Sequence, residues 1–246
     1  MEEQIENKNE FVSVEEYLTP KLRLYYDEIL NKGFEVMILR KFGYEGPWCL
    51  RVYPQYHIIM PWNDLGNVSM FAHELLHIYF DLVKGMLIFI SRQLSMTEPF
   101  DSPIGNFLNQ HTINSIINNL QHHKMLPLYL DCGFQKEKFI ANYNDISEVE
   151  CSINKFINFE THAQLIPFQK YAIALHVADY ICLEKYCINP EHKSLLNEFY
   201  SSKVQSKYPF LYEQFSPLIE SWDSHDNLIE LVNNINDIAK LYAQND

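Results

Sequence analysis

The chain has 246 residues, of which 47% are hydrophobic, and a formal net charge of −13. This size is enough for one large domain with a sizeable core, whereas an acidic chain with scattered basic residues is a poor candidate for binding nucleic acid. The five cysteines form no C-x-x-C pair, no apolar run is long enough to span a membrane, and the acidic N-terminus does not resemble a secretory signal. We therefore expect a cytoplasmic protein with no nucleic-acid or membrane partner, and the sequence does not indicate its oligomeric state.

The first third of the chain predicts one helix and a small sheet. Residues 1–12 are expected to be a disordered tail, and residues 13–33 predict a helix that starts after Ser13 and stops at Gly33. The runs FEVMILRKF, CLRVYP and YHIIMP follow, and their β-branched and aromatic residues predict two or three strands.

The remainder of the chain is predicted to be helical. Residues 67–84 predict one helix ended by Lys84-Gly85, and Pro127 and Gly133 are expected to interrupt the helical pattern further on. Other helical patterns cover residues 86–95, the segment IGNFLNQHTINSIINNLQHHKML, and residues 147–186, 190–205, 207–221 and 225–244. The predicted fold is α+β, mainly α, in a single domain over residues 1–246, with the sheet and the first long helix in 13–95 and a helical part in 96–246.

The motif His-Glu-Leu-Leu-His at the centre of residues 67–84 is the strongest chemical signal. On a helix, His73 and His77 lie four residues apart on one face, where two imidazoles can bind one Zn²⁺. Glu74 is then placed to accept a proton from a water on that ion. The neighbouring residues are uncharged, which predicts burial, and two buried histidines with a buried glutamate are costly unless something binds them. Because the motif is short and the chain has 10 histidines, a chance match on a structural helix stays open.

Residues 55–85 resemble the HExxH zinc metallopeptidases, the zincins or gluzincin-like proteins, of the small cytosolic bacterial type. In that group a small sheet, whose edge strand lines the substrate cleft, precedes the HExxH helix, and YHIIMPWND would be that edge strand. The resemblance implies that His73 and His77 bind zinc, that Glu74 is the general base, and that the substrate is a protein or peptide. The metzincin subtype is excluded because Phe80 and Val83 stand where it has a glycine and a third histidine.

A third zinc ligand must come from elsewhere in the chain. The preferred candidate is His122 in NNLQHHKML, with Asn118 as its neighbour on the same helix face. Asp81, four residues after His77, either orients a ligand imidazole or is a surface residue near Lys84. The alternatives for the third ligand are His123, Glu98, Glu148, Glu150, Glu160 and His162, and an oxyanion donor could be His111 or Tyr143.

The function that these observations favour is that of a zinc-dependent intracellular endopeptidase. Two alternatives remain open at this point. One is a zincin-like protein that binds a peptide or partner without cleaving it, and the other is a helical interaction protein in which the motif has no metal.

Overall fold

The computed structural model describes residues 9–46, 48–52, 56–86, 103–139, 167–186 and 190–244. A small sheet near the N-terminus and a helical C-terminal half confirm the predicted α+β fold class. The chain divides into two compact units, one of residues 1–85 with 125–139 and the other of residues 86–124 with 140–246. Whether the chain folds as a single domain stays a prediction.

The sheet contains strands β1 (Asn9–Val12), β2 (Val36–Lys41), β3 (Cys49–Val52) and β4 (Tyr56–Pro61). The helices are α1 (Pro20–Asn31), α2 (Val68–Leu82), α3 (Pro103–Asp131), α4 (Pro167–Tyr186), α5 (Pro190–Phe199), α6 (Pro209–Glu220) and α7 (Leu228–Gln244). A π-helical segment, Tyr200–Gln205, follows α5, and short 3₁₀ turns cover Val14–Tyr17, Lys136–Lys138 and Ser221–Asp223. None of the helices described combines the length and the apolar composition that a membrane span requires.

The sheet order β1-β2-β4-β3 corrects two of the sequence predictions. β4 was expected at the edge, but it is internal, because it pairs in parallel with β2 and antiparallel with β3. Residues 9–12 were expected to belong to a disordered tail, but they form β1, which pairs antiparallel with β2; residues 1–8 lie outside the described part. β1 is almost entirely exposed, so no buried apolar pattern marked it in the sequence.

The predicted helix over residues 13–33 starts later than expected. Ser13 precedes only a 3₁₀ turn, and α1 begins at Pro20, with the Thr19 hydroxyl accepting a hydrogen bond from the backbone N–H of Leu22 at 3.3 Å. A proline disfavours helical backbone in the residue before it and fits the first helical position, which explains the break. Gly33 follows the helix with φ of +84°, as a terminating glycine should.

Local contacts fix both ends of α2, which covers most of the helix that the sequence predicts over residues 67–84. Asn67 caps its N-terminus, its side-chain oxygen accepting from the backbone N–H of Met70 at 3.3 Å. The hydroxyl of Tyr17 accepts from the N–H of Gly66 at 3.2 Å, and its ring packs 5.3 Å from that of Phe71. At the other end the chain leaves the helix through Gly85, whose φ is +71°. Every residue from 71 to 81 is buried, so α2 is the central helix of its unit.

The helix α3 is longer than the sequence indicated. Pro127 was expected to interrupt it, but the helix runs through this residue to Asp131. Proline removes one backbone donor from a helix interior. The fully buried side chains of Met125 and Tyr129 on either side of it supply packing that offsets this loss. Among the other helical predictions, residues 86–95 fall outside the described part from residue 87 on, and residues 147–166 do so entirely.

The helical unit contains a polar network between α3 and α4. Asn119 donates to a carboxylate oxygen of Asp179 at 3.1 Å, and Ser115 also hydrogen-bonds to this carboxylate. Burial outweighs these bonds and raises the pKa of Asp179 from 3.8 to about 7. The folded protein therefore holds a proton on Asp179 at pH values where the unfolded chain has released it.

We predict that Asp179→Asn flattens the pH dependence of stability. In the wild type the free energy of unfolding should fall as the pH rises from near 4 to about 7 and then level off, since over this window the unfolded chain binds fewer protons. The expected fall is about 2 kcal/mol, because partial exposure of the carboxylate reduces the full linkage value. Urea unfolding at stepped pH measures it, with exposed Asp237→Asn as the control. An unchanged slope in Asp179→Asn would contradict the assignment.

Candidate metal centre

Three histidines from two helices come together in the structure. His73 and His77 lie on α2, and His122 lies on α3. Their candidate ligand atoms are all within 4.8 Å of one another, and each side chain is at most 7% exposed. Among the described residues, this is the group of histidine, cysteine and acidic side chains that could hold a metal ion.

The spacing within α2 suits a shared ion. The Nε2 atoms of His73 and His77 are 3.1 Å apart, and their rings meet edge to face with centroids 4.8 Å apart. Two imidazoles on one tetrahedral zinc, each about 2.05 Å from it, have their nitrogens about 3.3 Å apart. The separation of the two nitrogens is therefore within a few tenths of an ångström of the one that a shared zinc requires.

Phe139 contacts His73 through both its ring and its backbone. Its ring packs edge to face on the imidazole with centroids 5.0 Å apart, and its backbone forms a hydrogen bond with His73. Tyr129 in turn packs on the Phe139 ring at 4.9 Å. Burial and the neighbouring His77 lower the pKa of His73 well below 6.5, against the opposing effect of the Phe139 hydrogen bond. His73 is thus neutral at pH 7, the state in which imidazole binds metals.

His122 has Asn118 as its neighbour, as the sequence predicted. The Asn118 amide lies 3.4 Å from Nδ1 of His122, one helical turn earlier. A metal ion on Nε2 needs the proton on Nδ1 and an acceptor facing it. Asn118 can supply that acceptor through Oδ1, because the two ends of the amide exchange places on rotation. That Asn118 plays this role stays a prediction.

Glu74 is buried next to His73 but is not one of the three clustered ligands. Its side chain is 6% exposed, and burial raises its pKa from 4.5 to about 8. A cation bound at the neighbouring histidines would favour the ionised carboxylate, which is the form that accepts a proton. The burial and position are those that a general base beside a metal would have, and its catalytic role stays a prediction.

Asp81 resolves one of the alternatives left open by the sequence. It is 1% exposed, so its interpretation as a surface residue near Lys84 is wrong. Lys84 instead places its ammonium 5.6 Å from the centre of the Tyr79 ring. The pKa of Tyr56 is raised to about 12, chiefly by its own burial and also by the charge of Asp81. The second role, orienting a ligand imidazole, stays a prediction.

The other candidate ligands fall into two groups. His123 lies outside the cluster, with its Nε2 2.8 Å from a carboxylate oxygen of Asp223. The side chain of His111 and the remaining candidates, Glu98, Tyr143, Glu148, Glu150, Glu160 and His162, lie outside the part of the chain that the structure describes. Phe139 was missed by sequence reasoning, because a single phenylalanine far from the motif carries no metal-site pattern.

The donor set fits a divalent transition metal. Three imidazole nitrogens suit zinc, copper, iron or nickel, and they leave a coordination position open in a four-coordinate site. The structure thus supports a site that could bind a metal ion, and the three nitrogens do not by themselves choose the metal.

Comparisons with protein-family models, with curated proteins and with solved structures find no match to this chain. The inference about the site therefore depends on the residues and their geometry.

We predict about one metal ion per chain in protein purified without a metal-affinity tag. His77→Ala and His122→Ala should each abolish stoichiometric binding, because two imidazoles hold a transition metal much less tightly than three. Chelation should also lower the thermal midpoint of the wild type, since an ion that binds only the folded state stabilises it. Plasma mass spectrometry and thermal denaturation measure the two effects.

The matched control is His57→Ala, which removes a half-buried histidine of β4 that is not in the cluster. It should keep the metal. Retention of stoichiometric metal by His122→Ala would show that His122 is not the third ligand.

Proposed function

We propose that this chain is a zinc-dependent endopeptidase that acts on a protein or peptide substrate in the cytoplasm. The observation that carries the proposal is the convergence of His73, His77 and His122 with Glu74 buried directly beside the first of them. A glutamate between two helical ligands is the arrangement that the HExxH chemistry uses. The net charge of −13 supports a protein without a nucleic-acid partner, and five cysteines with no C-x-x-C pair support an intracellular protein.

Zinc is the metal proposed because it accepts three neutral imidazoles and a fourth exchangeable ligand in tetrahedral geometry. When bound, it would supply Lewis acidity, which both polarises a carbonyl oxygen and makes water a stronger acid at neutral pH. The three histidines would hold the ion, and the hydrogen bond that the imidazole of His73 donates to the backbone of Phe139 would fix that imidazole in orientation.

Glu74 would carry the proton through the reaction. Its carboxylate takes one proton from the attacking water as the water oxygen bonds to the carbonyl carbon of the scissile peptide. It then delivers that proton to the nitrogen of the leaving amine as the carbon–nitrogen bond breaks. The products are a new carboxyl terminus and a new amino terminus, and Glu74 returns to its starting state. Burial shields the carboxylate from bulk water, so the proton stays at the site between the two steps.

We predict that Glu74→Gln separates metal binding from catalysis. Glutamine is close in size and keeps the helix, so the zinc content should equal that of the wild type. Peptide cleavage should fall by about 100-fold or more, because general acid–base catalysis contributes that much. Cleavage is measured by mass spectrometry on a pool of peptides of mixed sequence, with zinc-loaded protein in every sample.

Glu213→Gln is the control, because Glu213 is exposed on α6. It should cleave as the wild type does. Equal cleavage by Glu74→Gln would contradict its assignment as the base. A wild type that binds zinc and also binds peptides without cleaving them would favour the inactive peptide-binding protein. A wild type that takes up no metal would favour the helical interaction protein.

A further inference from the structure

The segment of α3 that carries His122 is held in place by polar anchors. Asn119 donates to Asp179 at 3.1 Å, and the Gln121 amide donates to the carbonyl of Met86 at 2.8 Å. Two further anchors come from residues 221–226, which join α6 to α7 and are called here the clamp loop. It lies about one hundred positions along the chain from α3 and belongs to the same compact unit as His122.

Trp222 of the clamp loop bonds directly to the backbone of α3. Its indole N–H donates to the carbonyl of Leu120 at 2.8 Å, two residues before His122. The Trp222 side chain is fully buried, and the ammonium of Lys124 lies 4.9 Å from the centre of its ring. A buried hydrogen bond to a backbone atom fixes the position of the helix along its axis, because a slide in either direction breaks the bond.

Asp223 of the clamp loop contacts the face of α3 that carries His123. Its Oδ1 lies 2.8 Å from Nε2 of His123, and its Oδ2 lies 3.3 Å from the ammonium of Lys185 on α4. The Lys124 ammonium also donates to the Asp223 carbonyl at 3.3 Å. His123 projects about 100° around the helix from His122. The contact with Asp223, whose side chain is 53% exposed, adds to the buried Trp222 bond in restraining the rotation of α3 near His122.

The tolerance of a metal site makes this rotation matter. A side-chain tip about 6 Å from the helix axis moves about 1 Å when the helix turns by about 10°. Ligand distances in a metal site must be correct to about 0.2 Å. A rotation too small to disturb the packing of α3 would therefore take His122 out of coordinating distance.

Pro127 adds a reason for local anchoring. It has no backbone N–H, so the carbonyl of His123 cannot receive the helical bond that residue 127 would normally donate. The helix is thus weakest just after the ligand. Anchors on residues 119 to 124 hold the ligand segment without relying on the helix beyond the proline.

We propose that the clamp loop is a positioning device for the third metal ligand, with Trp222 and Asp223 as positioning residues that set His122 through Leu120 and His123. The inference rests on the proposed metal binding. Beyond the proposed metal binding, it assigns to a loop outside the cluster the control of the affinity and geometry of the bound ion.

The test uses the full-length, metal-free protein titrated with Co²⁺ alone, whose visible absorption reports affinity and coordination geometry. Trp222→Phe removes the N–H and keeps a ring, and Asp223→Ala removes the carboxylate. Each should weaken Co²⁺ binding by about 10-fold or more, as loss of an outer partner of a metal ligand does, and should change the shape of the absorption bands. Asp223→Asn keeps an acceptor for His123 and should recover most of the affinity.

The controls are Trp62→Phe and Asp237→Ala, which make the same changes away from the clamp loop, and both should bind Co²⁺ as the wild type does. Circular dichroism and urea unfolding identify the variants that fold. If Trp222→Phe does not fold, the comparison of Asp223→Ala with Asp223→Asn tests the positioning role. Wild-type affinity and bands in folded Asp223→Ala would overturn the positioning role while leaving the metal site intact. Failure of the wild type itself to bind Co²⁺ would overturn both this inference and the proposed function.

Discussion

The burial of His73, Glu74 and His77 on one helix is the constraint on which the rest of the structure depends. Each side chain is 7% exposed or less, inside a helix whose neighbouring residues are apolar. Taking polar side chains out of water costs free energy that hydrogen bonds such as the one between the Nε2 atoms of His73 and His77 only partly return, and the stability of an ordinary domain is marginal. A metal ion bound by the imidazoles would offset more of that cost, because a cation favours the ionised form of the neighbouring carboxylate.

The contacts around α2 restrict the position of this helix and of its side chains. Asn67 and Gly85 fix where it starts and where the chain leaves it, and Tyr17 fastens the turn before it. The Phe139 backbone and ring set the orientation of one imidazole. Each of these contacts restricts the movement of α2 and so of its two histidines, whose Nε2 atoms lie 3.1 Å apart.

Sequence reasoning succeeded where a signal is local and periodic. The limits of α2, the pairing of His73 with His77, and the shared face of Asn118 and His122 all follow from helical spacing. It failed where tertiary pairing decides: β1 is an exposed strand that pairs with β2, and β4 is internal because β3 pairs with its far side. The prediction that Pro127 interrupts the helix was wrong for a related reason, since packing on both sides of this residue outweighs the loss of one backbone hydrogen bond.

The pair His122 and His123 shows why the site could be only partly predicted. The two residues are identical in type and adjacent in sequence, and only the spacing of His122 from Asn118 favoured His122 as the candidate ligand. Their difference arises from partners far away in the chain. His122 faces the two histidines of α2, and His123 meets Asp223, whose other oxygen contacts Lys185. Since adjacent helical side chains diverge by about 100°, fixing one of them on the outside fixes the other on the inside. The contact of the outward histidine with Asp223 is therefore as informative about the candidate metal site as the inward histidine is, because adjacent side chains of one helix turn together.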